Sequence, residues 1–163
     1  MNDDLKLMYD WVRRTREVLF TFTDSLPNEI YTLERKDFAY GSIRNIHAHV
    51  AGCYLYWLGN VGLKHDRAKL ELADEKIPDV SAMRERFKFV DEIVAEALEK
   101  FENPDAVLEH QQSGGVEKLT QRWLIVHPIT HEFHHKGQLL ALARVLEHPL
   151  PAGADTDLVL PFE

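Results

Sequence analysis

The chain has 163 residues, with 19 Lys and Arg against 27 Asp and Glu, so its formal net charge is −8. This length predicts a single domain over residues 1–163, which can bury a core without disulfide bonds. The acidic balance argues against nucleic acid as a partner, and no apolar run reaches the ~20 residues of a membrane-spanning helix. The N-terminus lacks a secretory signal and Cys53 is the lone cysteine, so we expect a cytosolic protein without a membrane partner.

Apolar residues recur at intervals of three and four along the first half of the chain, which is typical of amphipathic helices. A first helix is predicted over Asp3–Leu26 and is ended by Pro27. Residues 28–41 are predicted to form a connection. A second helix is predicted from Ile43 to about Gly62, with Ser42 as its N-cap.

The second half continues the same pattern. A third helix is predicted over Ser81–Phe101, and residues 105–119 form either a small hairpin or a loop. The last and longest helix runs from about Thr120 to Glu147, and the proline-rich residues 149–163 are expected to lie over the helices as an extended tail. Four long helices with long connections predict an all-α fold, a four-helix bundle.

Two histidines of the last helix predict a metal site. His131 and His135 lie one turn apart in the middle of the predicted inward stripe, where unpaired imidazoles would be costly but an i, i+4 pair can bind one metal ion. The second helix offers His47 and His49, which diverge so that only one can supply a third ligand. Spacing alone slightly favours His47. The predicted inward stripe comprises Leu124, His127, His131, His135, Gln138, Leu142, Val145 and Leu146.

These motifs resemble a known family. Residues 42–49 read Ser-Ile-Arg-Asn-Ile-His-Ala-His, Trp57 follows eight positions later, and residues 131–138 read His-Glu-Phe-His-His-Lys-Gly-Gln. Together they resemble the DinB/YfiT-like proteins, and the resemblance spans essentially the whole chain, including the tail with Asp155. It implies a four-helix bundle in which one histidine of the second helix and the His-x-x-x-His pair bind a divalent metal, usually in a dimer.

Carried over by position, the resemblance implies His49, His131 and His135 as the metal ligands, in place of His47. Zinc and nickel both suit imidazole nitrogen, and three neutral ligands leave coordination positions open, as at catalytic zinc sites. Similar members include thiol S-transferases and a mycothiol-dependent isomerase. The resemblance therefore implies a metal-dependent transferase or hydrolase that acts on a small-molecule thiol or electrophile and involves no DNA chemistry. An acidic residue common after the helix-two histidine is replaced here by Gly52 and Tyr54.

Three alternatives stay open. Residues 131–135 spell His-Glu-x-x-His, the zinc protease signature, but Glu132 lies about 100° around the helix from the midpoint of the metal face. Cys53, one turn after His49, could close the site as a fourth ligand and make the metal structural. A noncatalytic metal-binding or small-molecule-binding protein is the third alternative.

Two further features of the last helix carry expectations. Gln138, one turn after His135, is expected to hydrogen-bond to a ligand rather than bind the metal. A second apolar side opposite the histidines predicts a homodimer, unless the rest of the chain covers it. That side comprises Val126, Ile129, Phe133 and Leu140.

Overall fold

The computed structural model describes residues 2–66, 77–152 and 157–160 and shows a mostly helical protein, which confirms the predicted all-α class. Within these ranges, no helix has the length and hydrophobicity needed to cross a membrane. The helices are α1 (Asn2–Asp24), α2 (Asn28–Tyr31), α3 (Ile43–Tyr54), a π-helical segment (Leu55–Gly62), α4 (Val80–Lys100) and α5 (Gln121–Val145). The strands β1 (Val107–Gln112) and β2 (Gly115–Thr120) pair antiparallel, so residues 105–119 contain a hairpin rather than a loop.

Three helices begin at side-chain caps. Ser42, Asp79 and Thr120 each accept a hydrogen bond from the backbone N–H three residues later, at 3.1, 2.8 and 3.1 Å. These bonds satisfy donors that the first turn of a helix otherwise leaves free. The predicted cap at Ser42 is confirmed, and α4 and α5 begin within one residue of their predicted starts.

The predicted second helix changes geometry halfway along. The α-helix ends at Tyr54, and the chain continues as a π-helix through Gly62. A π-helix has a wider turn, so side chains beyond Tyr54 point in directions that a regular 3.6-residue spacing does not predict. Gly62 permits close packing here, because a Cβ atom at this position would lie 2.7 Å from Cζ of Phe101.

The long helices pack around one core. α3 contacts both α4 and α5, and α1 packs on α4. Part of the predicted tail lies along α1, where the backbone N–H of Val159 donates to Oγ1 of Thr15 at 3.0 Å and Arg14 donates to the carbonyl of Leu160 at 2.9 Å. Asp155, which belongs to the family resemblance, lies outside the described residues.

The buried face of α5 is rotated relative to the predicted stripe. Val145, predicted to point inward, is 53% exposed, and His127 and His131 are half-buried at the edge of the core. The predicted stripe did not include Glu132 and Lys136, and both are buried. The buried side chains of α5 are Leu124, Ile125, Pro128, Ile129, Glu132, His135, Lys136, Leu139, Leu142 and Ala143.

The second apolar side of α5 is largely covered by its own chain. Ile129 is buried, and Val126, Phe133 and Leu140 are half-buried and pack against the same core. This is the arrangement expected from packing within the chain. The homodimer stays a prediction.

A buried ion pair joins the first and last helices. Arg16 donates to both carboxylate oxygens of Glu132, from Nε at 2.7 Å and from Nη2 at 2.9 Å. Tyr54 donates to the same carboxylate at 2.6 Å, and Arg16 also donates to Asp91 at 2.8 Å. The four residues come from α1, α3, α4 and α5, so one polar network connects all the long helices.

We predict that Arg16→Met destabilises the protein strongly, because it leaves the Glu132 carboxylate buried without its cation. Removing one partner of a buried ion pair costs about 3–5 kcal/mol. Urea unfolding at neutral pH measures this cost. Lys88→Met is the matched control, since its pair with Glu85 is exposed and such pairs contribute under ~1 kcal/mol. Equal losses in the two variants would contradict the prediction.

Candidate metal centre

Three histidines meet where α3 packs against α5. His49 lies in the middle of α3, and His131 and His135 lie one turn apart on α5. One ring nitrogen from each residue lies within 4.8 Å of the other two. Nε2 of His49 and Nε2 of His131 are 2.9 Å apart. The structure therefore brings together the three residues that the family resemblance implies as ligands.

The geometry of this cluster fits a metal ion. Zinc binds imidazole nitrogen at about 2.0–2.1 Å, which puts two tetrahedral ligand atoms roughly 3.3 Å apart. The Nε2 atoms of His49 and His131 need only a small separation to reach that spacing. A neutral imidazole has one ring nitrogen with a lone pair and one with an N–H. Without a metal, one of these two Nε2 atoms must therefore carry the N–H and donate it to the other.

Gln138 orients the third histidine. Its Oε1 atom lies 2.7 Å from Nδ1 of His135, and a carbonyl oxygen can only accept, so Nδ1–H is the donor. This fixes the tautomer and leaves the lone pair on Nε2. Metal-binding histidines commonly have such a partner behind them. The expected hydrogen bond of Gln138 is present, and its position behind a metal ligand stays a prediction.

The three imidazoles are held in the neutral form. Burial, together with the charges of the neighbouring His135 and His49, lowers the pKa of His131 to about 4. Burial also lowers the pKa of His49 and of His135. Metal binding requires unprotonated nitrogen, so at neutral pH no proton has to be displaced from these lone pairs.

His47, which spacing favoured, lies elsewhere. Its side chain is buried against Phe20, with ring centres 5.2 Å apart, and its Nδ1 is 3.2 Å from the hydroxyl of Tyr31. It does not belong to the cluster of His49, His131 and His135. Spacing identified the buried face of α3 correctly, but His47 packs in the core against Phe20 and Tyr31, whereas the half-buried His49 meets His131.

The protease interpretation has no geometric support. Glu132 would have to act as a general base beside the metal, yet both of its oxygens accept hydrogen bonds from Arg16 in the core. Tyr54 occupies a further acceptor position. The carboxylate is therefore committed to the core and is not part of the three-histidine cluster.

Tyr40 is a residue of the site that the sequence analysis missed. Its hydroxyl lies 3.1 Å from Nε2 of His49, and its ring stacks on the His49 ring with centres 4.3 Å apart. Its φ angle is 63°, a strained conformation for a bulky residue. The side-chain amide of Asn45 donates to the Tyr40 carbonyl at 2.9 Å and helps to hold this turn. Tyr40 lies in a connection without periodicity, so no sequence signal placed it here.

Cys53 belongs to a different group from the one expected. Its Sγ atom and a ring nitrogen from each of His127 and His131 lie within 4.8 Å of one another. Cys53 is thus not brought to the cluster of His49, His131 and His135 as a fourth member. Burial raises the pKa of the Cys53 thiol to about 12.

Comparison with known protein families agrees with the fold and with the histidine motifs. A family model described as the DinB family matches residues 1–156, and the chain therefore belongs to the DinB family. The resemblance inferred from the two histidine motifs is confirmed at this level. No curated protein matches the chain.

We predict that His47 makes the protein sensitive to acid. Burial, with the charges of Arg16 and Arg84, lowers the pKa of His47 to about 3. Below about pH 6.5 the unfolded chain binds a proton on this ring and the folded chain does not. The free energy of unfolding therefore falls by up to about 1.4 kcal/mol for each pH unit by which the pH is lowered.

Urea unfolding of metal-free protein between about pH 6 and about pH 4 measures this slope. His47→Gln removes the titrating ring and should flatten the slope by about one proton's contribution. Tyr31→Phe removes only the hydroxyl beside the ring and should keep the steep slope. The assignment is wrong if wild type and His47→Gln have the same slope.

Proposed function

We propose that this DinB-family protein binds one divalent metal ion, zinc or nickel, through His49, His131 and His135 and acts as a metal-dependent thiol S-transferase or hydrolase. The observation that carries the proposal is the convergence of one ring nitrogen from each residue within 4.8 Å. A metal held by three neutral imidazoles keeps coordination positions open and lowers the pKa of a water or thiol that binds there.

The protein's own groups prepare this chemistry. Gln138 holds His135 in one tautomer, and the two helices fix the three rings relative to one another. Tyr40, 44% exposed, brings a hydroxyl group to the same cluster. That hydroxyl can donate a proton to, or accept a hydrogen bond from, a small molecule bound beside His49. His131 and His49 are only half-buried, which supports access for a small thiol or electrophile.

A direct assay tests the activity. Protein purified without a His tag is incubated with bacillithiol, mycothiol or glutathione and an electrophilic acceptor, and separately with an ester, with and without chelator. We expect turnover that chelator abolishes and added zinc or nickel restores. No turnover with any thiol or ester would favour the noncatalytic metal-binding alternative, and turnover that resists chelator would contradict a metal-dependent reaction.

We predict that His49→Ala lowers metal affinity by more than about a hundredfold, since losing only a hydrogen-bond partner behind a ligand costs 10–100-fold. Gln138→Ala, which removes such a partner of His135, should fall within that 10–100-fold range. His47→Gln should keep nearly full affinity. Calorimetric titration and elemental analysis measure these values. A large loss in His47→Gln with none in His49→Ala would mean that the family-based assignment is wrong.

We predict that Tyr40→Phe retains one metal ion per chain but lowers turnover by about a hundredfold, the lower end of what a positioned proton donor contributes. The phenyl ring can still stack on His49, so the variant removes the hydroxyl alone. Tyr40→Leu, which also removes the stacking, is the comparison variant. Unchanged turnover in Tyr40→Phe would restrict Tyr40 to a packing role.

A further inference from the structure

We infer that Cys53, His127 and His131 form a second metal position, one helical turn along α3 and α5 from the three-histidine cluster, that prefers thiophilic ions such as Cd²⁺ and Cu⁺. His131 is common to both positions. This inference goes beyond the proposed function and does not require the first position to be catalytic.

Possible metal ligands recur at successive turns along α3 and α5. On α3, Cys53 follows His49 by four residues, which is one turn. On α5, His127 precedes His131 by four residues and His135 follows it by four. Both helices carry a possible ligand at successive turns. Because α3 and α5 pack side by side, one set of ligands meets at one turn and a second set meets at the next turn. Both groups of three bring their ligand atoms within 4.8 Å of one another.

The donors of the second group are available. Among the described residues, neither the Cys53 thiol nor the ring nitrogens of His127 take part in a hydrogen bond. The His127 ring is held by aromatic contacts instead: it stacks on Trp123 with centres 4.4 Å apart and planes at 9°, and the edge contact with Trp57 is 5.5 Å. Its orientation is therefore fixed without occupying either nitrogen.

The two positions differ in the metal they favour. Thiolate is a soft ligand that selects Cu⁺ and related thiophilic ions, whereas an all-imidazole set suits zinc and nickel. Cys53 is buried, which shields a metal–sulfur bond from water. Binding there releases the thiol proton, so affinity at this position rises with pH.

The shared histidine makes the positions mutually exclusive. A neutral imidazole has one lone pair and one N–H, so His131 can serve one metal ion at a time. A thiophilic ion bound by Cys53 and His127 would take His131 away from His49 and His135. We therefore expect one bound metal per chain in total, and displacement of zinc when a thiophilic ion binds.

Titration of tag-free, metal-free, reduced protein with Cd²⁺ tests the inference. Wild type should bind one Cd²⁺ per chain and develop an ultraviolet sulfur-to-cadmium charge-transfer band. A second sample, loaded with zinc before the titration, should release its zinc as the band grows. Cys53→Ser should lack the band. His49→Ala should keep it, because this variant damages only the three-histidine position.

His127→Gln keeps the test decisive if replacement of the buried Cys53 impairs folding. We expect His127→Gln to weaken Cd²⁺ binding by more than about tenfold and to leave zinc affinity unchanged, because losing even a hydrogen-bond partner behind a ligand costs 10–100-fold. His148→Gln, at a histidine beyond the C-terminal end of α5, should change neither.

The outcomes separate this inference from the proposed function. No charge-transfer band in wild type, or a band undiminished in His127→Gln, would overturn the second position. Two Cd²⁺ ions per chain would overturn the inference that the two positions share His131. Zinc binding that is lost in His49→Ala would still support the three-histidine site in those cases. Conversely, a Cd²⁺ charge-transfer band in a protein that never binds zinc would support the second position and contradict the proposed three-histidine site.

Discussion

The buried pairing of Arg16 with Glu132 is the constraint on which the site depends. Its members and their partners Tyr54 and Asp91 come from all four long helices, so the network fixes how these helices stand against one another. A carboxylate buried in this way costs several kcal/mol if it loses its cation, so α5 cannot rotate freely about its axis. With Glu132 directed at α1, the adjacent His131 is turned to the edge of the core and faces α3.

This rotation also sets the chemistry of the cluster. His135 is buried and its neighbour along the face, His131, is half-buried, so the rings lie at the boundary between core and solvent. Burial is deep enough to lower the pKa of His131 to about 4 and keep the ring neutral. Exposure is sufficient for a small molecule to approach.

The sequence predicted the helices, the last-helix histidine pair and the family, because each depends on local periodicity or a short motif. It did not predict the burial of Glu132, whose partner is 116 residues away in the chain. Spacing favoured His47 because it measures which residues of α3 are most buried, whereas the cluster forms at the half-buried edge of α3, where His49 meets His131. Tyr40 was missed because a strained turn in a connection has no periodicity. The π-helical segment was missed because its apolar residues fit a regular helix equally well.

The segment His131-Glu132-x-x-His135 shows why a motif specifies a reaction only through the directions of its side chains. In a zinc protease the glutamate must reach water at the metal that the two histidines bind. In this chain the carboxylate accepts hydrogen bonds from Arg16 and Tyr54 in the core, and the histidines face His49. Glu132 therefore acts as an anchor that directs His131 and His135 toward α3. The same sequence letters are therefore compatible with a cluster from which the glutamate is absent, and the hydroxyl group beside that cluster comes from Tyr40, outside the helix.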